Sequence, residues 1–219
     1  MCECETKEYR SVCLRFIRCL IQTIVLVPFL HCVLRIKVKG KRNATSKNSP
    51  LIIIANHQSH FDAPLIIASL PRRQAVRVAV GAAADNFFKN RWQSLPTRIL
   101  LNTYPIDRDH SSAHKGLTKK LIDDHISILV FPEGTRTRTG QMGAFHQGLA
   151  RIALATGARI LPVVIKGTYA AWPCTQKRWS RSRHDVTVEF LPLIVPSSNE
   201  TAVQLTARMY DTIKRKLNQ

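Results

Sequence analysis

Two short polar blocks in this chain carry residue types that can move a proton or hold an anion. The first, Asn56-His57-Gln58-Ser59-His60-Phe61-Asp62, follows directly on the apolar run Leu51–Ala55. A histidine five positions before an aspartate, across a strand-to-helix turn, can fold back so that the carboxylate meets one imidazole nitrogen. That bond fixes the tautomer and leaves the other nitrogen free as a base. No Gly-x-Ser-x-Gly turn accompanies it, so such a base works on a bound substrate directly, an effect of about 10²–10⁴-fold. The plainer alternative is that His57 or His60 only caps a helix beginning at Asp62. A zinc reading of His57 and His60 lacks a spaced third ligand.

The second block, Phe131-Pro132-Glu133-Gly134-Thr135-Arg136, follows another apolar run, Ile126–Val130. A flexible glycine turn, a hydroxyl and a guanidinium make an anion site. Ile106-Asp107-Arg108 follows a weaker run, and Arg108 could reach the same crevice. Taken singly, each arginine could equally be a solvated surface charge.

These blocks need a scaffold that brings them together. Beyond Gly40, apolar runs suited to buried strands occur at Leu51–Ala55, Val76–Val80, Ile126–Phe131, Ile160–Ile165 and Val186–Leu191, with a weaker one at Leu100–Ile106. Helix-like stretches lie between them at Ala63–Ser69, Ser111–Asp123, Ala144–Thr156 and Thr201–Leu217. The alternation predicts an α/β layered fold, a largely parallel sheet flanked by helices. Ligands in such sheets collect at the carboxyl ends of strands, which is where the polar blocks stand.

The first 36 residues differ from the rest, and we divide the chain into an N-terminal membrane-associated helical segment (1–36) and a second domain (37–219). Cys19–Leu34 is largely apolar, but it is shorter than the roughly 20 residues of a spanning helix and contains Pro28. It could be a buried core helix. The reading we favour is a shallow dip into one leaflet, with Arg10, Arg15 and Arg18 on one side and the Arg35–Arg42 cluster on lipid phosphates. If the run does span, the positive charge after it puts the remaining chain on the cytoplasmic side, which is where the catalytic domain is expected. Thirty-three Lys and Arg against 14 Asp and Glu leave a net charge of +19, so the partner is a polyanion: an anionic membrane, a phosphorylated substrate, an acidic carrier protein or nucleic acid. Five of the six cysteines fall within the first 32 residues, which is not a disulfide framework.

In combination the motifs become specific. Asn-His-x-Ser-x-x-Asp, then Ile-Asp-Arg, then Phe-Pro-Glu-Gly-Thr-Arg, then Leu161-Pro162-Val163-Val164-Ile165, in this order, resemble the glycerophospholipid acyltransferase family, whose typical member is 1-acylglycerol-3-phosphate acyltransferase. The resemblance implies O-acyl transfer from acyl-CoA or acyl-carrier protein to the free hydroxyl of a lysophospholipid, foremost 1-acylglycerol-3-phosphate, giving phosphatidic acid. It implies His57 as the base oriented by Asp62, and Arg108, Glu133, Gly134, Thr135 and Arg136 around the phosphorylated acceptor. Glu133 is expected to steady an arginine or meet an acceptor hydroxyl, and Pro162 to shape the acyl-donor side. No metal and no cofactor beyond the thioester co-substrate is implied. Asn102 stands where family members often have glycine, Ala82-Ala83-Ala84-Asp85 replaces an Ala-Lys-x-Glu run, and Phe145-His146-Gln147-Gly148 replaces Phe-Lys-x-Gly. A different lysolipid therefore stays open as acceptor.

A second class of function shares the charge: a basic membrane-surface or nucleic-acid binding protein that has lost catalysis on the same scaffold. Only 7% of residues are aromatic and no stacking or recognition-helix pattern stands out, which argues against nucleic acid. The stretch Lys177-Arg178-Trp179-Ser180-Arg181-Ser182-Arg183 fits a loop on anionic headgroups or a plain solvated loop.

Overall fold

The computed structural model describes residues 4–45, 49–84, 91–106 and 116–219. One seven-stranded sheet organises them: β1 (Leu34–Lys39), β2 (Leu51–Ala55), β3 (Val78–Ala83), β4 (Thr103–Ile106), β5 (Ser127–Val130), β6 (Arg159–Lys166) and β7 (His184–Phe190), in the order β1-β7-β6-β2-β5-β3-β4. All adjacent pairs are parallel except β6 with β7. The layered, mostly parallel α/β fold read from the sequence is the one observed.

Alternation along β2 divides the core. Leu51, Ile53 and Ala55 face one layer with Leu65, Leu161 and Val163, while Ile52 and Ile54 face the other with Ile128, Ile160 and Met209. The first layer is roofed by α2 (Val12–Ile21), a π turn (Gln22–Leu26), α3 (Val27–Val33) and α4 (Asp62–Ser69), after the short α1 (Cys4–Arg10). Two short connecting elements, α5 (Arg72–Ala75) and α6 (Arg91–Leu101), complete that half. Opposite them lie α7 (Leu117–Asp123), α8 (Gly148–Thr156) and α10 (Ala202–Leu217), with a single turn, α9 (Thr168–Ala171), after β6. Thr201 and Gln204 close a reciprocal capping box on α10. Because α4 leaves β2 to one layer and α8 leaves β5 to the other, a crevice opens between their carboxyl ends.

Two features bear on the reading of the N-terminal residues, and the second corrects it. Arg35, Lys37 and Lys39 alternate with Leu34, Ile36 and Val38 in β1, an edge strand paired with β7. Lysines on such an edge discourage pairing with another chain. Arg18 is 2% exposed and faces inward instead of meeting lipid. Its guanidinium donates to the carbonyls of Ile99 (3.1 Å) and Val76 (3.2 Å) and to Asn102 Oδ1 (2.8 Å). Burial, and then Arg15, push Arg18 down to about 10, so it is still a cation at neutral pH. Asn102 has φ 56, the left-handed backbone that glycine adopts freely and asparagine tolerates, which explains the exchange at this position.

The outer face of the same helix is apolar. Val12–Val33 is continuous over 22 residues and is long and apolar enough to cross a membrane, longer than the apolar run alone indicates. Val12 is 78% exposed, and Phe16, Leu20, Ile24 and Val25 follow it on the surface. A stripe of this kind marks an interaction surface.

Candidate active site

His57 stands two residues beyond β2, and its Nδ1 lies 2.9 Å from Asp62 Oδ2. Asp62 is fully buried at the start of α4. The same Oδ2 accepts the backbone N–H groups of Gln58 (2.6 Å) and Ser59 (2.7 Å), and Oδ1 accepts the Thr168 hydroxyl (2.7 Å). These partners satisfy a carboxyl group that would be costly to bury without them. Of the alternatives left open by the sequence, the structure selects the paired histidine: Asp62, not His57, gathers the loop's N–H groups.

The His57 ring is held in two further ways. It stacks on Phe131, with centroids 3.8 Å apart and planes 12° from parallel. Its side chain stays 18% exposed, so the ring is fixed on one edge and reachable on another. With Nδ1 committed to Asp62, Nε2 is the nitrogen left for a substrate proton.

Glu133 joins the two blocks. Its Oε1 accepts the N–H of His57 (2.7 Å) and its Oε2 that of Gly143 (2.7 Å), so its protein partners are backbone donors and not the arginine expected from the sequence. The Thr137 N–H returns to the His57 carbonyl at 2.9 Å. Burial raises the Glu133 carboxyl above the usual carboxylate range, with Asp62 adding to the rise, while the two N–H groups oppose it. Gly134 has φ 70, and a Cβ there would stand 3.3 Å from the His146 ring. Thr135 is exposed at the rim.

Arg136 turns toward the first block, where it meets His60. Burial, then Arg136 and His57, push His60 down to about 4, so it is neutral and can accept from the guanidinium. His60 also packs on Trp172, with centroids 4.5 Å apart. Arg108 and Asp85 lie outside the described residues. Pro162 is buried in mid-sheet opposite Ile54, away from the crevice wall. Its carbonyl accepts from Leu191, just past the last residue of β7, so its missing N–H falls where that ladder ends.

Three residues essential to this geometry were not singled out as site residues. Asn56 exchanges two bonds with the backbone of Ile165, each 2.9 Å, and so ties the end of β2 to β6. Thr168 and Trp172 follow the carboxyl end of β6. The rule that picked out the other blocks, polar residues just after an apolar run, also points to Thr168. Among the described residues, no group of three His, Cys, Asp or Glu side chains could hold a metal ion.

A cleft of about 450 Å³ opens beside His60. Ile21, Val25 and Phe29 of the N-terminal helix line one side, and Phe61, Pro64 and Leu100 the other. An aromatic cluster closes its end: Phe29 lies 5.8 Å from Trp179, and Phe61 lies 5.1 Å from Trp172. The basic stretch 177–183 is therefore anchored by Trp179, and Arg183 donates to the His31 carbonyl at 2.7 Å.

With the sheet order, the crevice and the His–Asp pair described, the chain can be set beside known proteins. The family model described as Acyltransferase matches residues 35–166, and the chain belongs to that family. It is 34% identical over 131 residues to a 1-acyl-sn-glycerol-3-phosphate acyltransferase of Cocos nucifera, covering 57% of this chain and 40% of that protein. It is 31% identical over 166 residues to the enzyme of the same name from Limnanthes douglasii, covering 73% and 54%. The human 1-acyl-sn-glycerol-3-phosphate acyltransferase beta is 27% identical over 191 residues, covering 84% and 64%. The chain thus spans about half the length of the curated relatives it matches. Its fold is that of the crystal structure of the 1-acyl-sn-glycerophosphate (LPA) acyltransferase PlsC from Thermotoga maritima, with a TM-score of 0.67, 22% identity and 95% of each chain covered.

Proposed function

We propose that this chain transfers a fatty acyl group from acyl-CoA or acyl-carrier protein to the free hydroxyl of 1-acylglycerol-3-phosphate, giving phosphatidic acid at a membrane surface. The observation that carries the reading is the His57–Asp62 pair, fixed on one edge and open on the other, with an apolar cleft opening at His60 of the same block. His57 Nε2 takes the hydroxyl proton as the oxygen attacks the thioester carbonyl. Asp62 balances the imidazolium that forms. The tetrahedral intermediate collapses with loss of the thiolate, which recovers the proton from His57. No acyl group rests on the protein, and no cofactor enters beyond the thioester co-substrate.

Arg136, with Gly134 and Thr135 beside it, faces the acceptor phosphate in this reading, and Arg108, outside the described residues, is assigned to the same group. Glu133 acts at one remove, by holding the His57 backbone against the second block. The apolar cleft suits an acyl chain, and the outward stripe of Val12–Val33 suits one leaflet of a membrane, with the sheet on its cytoplasmic side. The relatives' names support the acceptor, and the exchange at His146 leaves room for a different lysolipid.

Thiol release from acyl-CoA in mixed micelles tests this. With lysophosphatidic acid as acceptor, release is expected from the wild type and a loss of roughly 10³-fold or more from His57→Ala, with folding unchanged. Release that survives His57→Ala but not His60→Ala would move the base to His60. No release with any lysolipid or either donor would sink the reading.

A further inference from the structure

At the amino ends of the strands, opposite the catalytic crevice, lies a pocket of about 560 Å³. Arg72 and Arg73 of α5, Arg77 just before β3, and His125 and Ser127 at the start of β5 line it, with Ser49 and Pro50 before β2. β2 is five residues long, so this pocket and His57 are separated by roughly 17 Å of strand. Among the described residues no carboxylate lines it.

The charge here is uncompensated. Arg73 and Arg77 are exposed, and among the described residues neither meets an acid. Asp123, close by in sequence, is taken by Lys119 at 2.7 Å. Arg72 Nη1 donates to Gln22 Oε1 at 3.3 Å, whereas its Nη2 is buried with no partner. Arg15 of α2 stands close enough to Arg77 and Arg10 that both, after burial, depress its guanidinium, and its Nε is also buried without a partner. A fold that stabilised itself with these arginines would pair them, as it does Arg98 with Glu8 and Arg208 with Glu200. Several guanidiniums converging on one cavity, with donors unspent and no acid present, match a phosphate group in charge and in fork geometry.

We infer that this pocket is a second anion site, distinct from the catalytic crevice, which takes the phosphate of a membrane lipid headgroup. The lipid source follows from the neighbouring helix. Arg15 of α2 lies near enough to feel the charge of Arg77 in the pocket's lining, while Val12, Phe16 and Leu20 of the same segment expose apolar surface that a leaflet would cover. The apolar stripe and the pocket therefore meet one bilayer together, and the pocket fixes the sheet's amino end against it. The inference does not depend on which reaction the crevice performs.

Binding of the full chain is measured by co-sedimentation with phosphatidylcholine vesicles, with and without phosphatidic acid, and by titration with inorganic phosphate. Arg73→Ala/Arg77→Ala removes two exposed charges from the pocket, and Lys214→Ala/Arg215→Ala removes two from α10 as a charge-matched control. The pocket variant is expected to lose about 30-fold in partition onto the anionic vesicles, at about a kilocalorie per basic residue, and the control less than about threefold. Partition onto phosphatidylcholine alone should be the same for all three. Titration with phosphate that depends on Arg73 and Arg77, with vesicle binding unchanged, would keep the anion site and make its ligand a soluble phosphate. Equal losses in both variants, or none in either assay, would overturn the site. Melting temperatures and a second variant, Arg73→Gln/Arg77→Gln, separate lost binding from lost folding.

Discussion

The two ends of the sheet handle charge in opposite ways. At the carboxyl ends, each buried ionisable group has its partners in place: Asp62 accepts from two backbone N–H groups, a hydroxyl and His57, and Glu133 accepts from two more N–H groups. At the amino ends, Arg72, Arg73, Arg77 and Arg15 approach one another with no acid among them. A reaction centre must hold its groups still before substrate arrives, so the protein supplies the counter-dipoles itself. A surface for a membrane anion can leave its charge unbalanced, because the counter-charge comes with the ligand. Substitutions should therefore harm the first end in the absence of any ligand, and the second only when a ligand is present.

The largest effect is expected at Asp62. In Asp62→Asn one amide group must stand where oxygens now accept four donors, and His57 loses the charge that balances its protonated form. Turnover should fall by roughly 10³–10⁴-fold. Melting temperature should fall as well, because a side chain buried among donors is left mismatched. Thiol release and a thermal melt read the two losses. A variant as stable as the wild type would mean that the loop does not need the charge, and the contrast between the two ends would fail.

How far this contrast was legible beforehand differs between residues. The His57–Asp62 pair could be read because both partners lie within one turn, so spacing alone implied contact. The roles of Glu133 and Arg18 could not, because their partners are backbone groups: Glu133 reaches His57, 76 residues away, and Arg18 reaches Val76, 58 residues away. A backbone N–H or carbonyl has no signature in the sequence. β1 was not read as a strand because a half-buried edge strand and a membrane-surface patch share a composition. The period-two alternation of Leu34, Ile36 and Val38 with Arg35, Lys37 and Lys39 was the distinguishing signal. Pro96 similarly hid the helix Arg91–Leu101, of which only the last residues were read, as part of a strand.

A smaller effect is expected where the crevice meets the acceptor. Arg136→Ala should raise KM for the phosphorylated acceptor about tenfold and leave KM for the thioester nearly unchanged, an assignment that steady-state kinetics can check. His60→Gln should follow it more weakly, because His60 holds Arg136 in place. His60 also gives the crevice a pH signature. Its folded value of about 4 lies below the ordinary 6.5, so the unfolded chain binds the extra proton between those values. Stability should then fall as pH drops from about 6.5 toward 4, by a few degrees in melting temperature. In His60→Gln that part of the slope should be missing. An unchanged slope would show that the crevice does not hold His60 neutral.

The smallest effect has the opposite sign, and for that reason it divides the two ends most sharply. Arg77 is exposed and has like charges for neighbours, with Arg15 the nearest to feel it. Without a ligand, Arg77→Gln removes repulsion and breaks no ion pair among the described residues. It should therefore raise stability at low ionic strength by a few tenths of a kcal/mol, the size of other surface charge pairs. The gain should vanish in high salt, where the screening length shrinks to about 3 Å. Adding anionic vesicles should reverse the order, because the wild type then gains a counter-charge that the variant cannot use. A melt of Arg77→Gln that is lower than wild type in low salt without lipid would mean that Arg77 holds the fold together. The amino end would then be structural, like the carboxyl end, instead of waiting for a ligand.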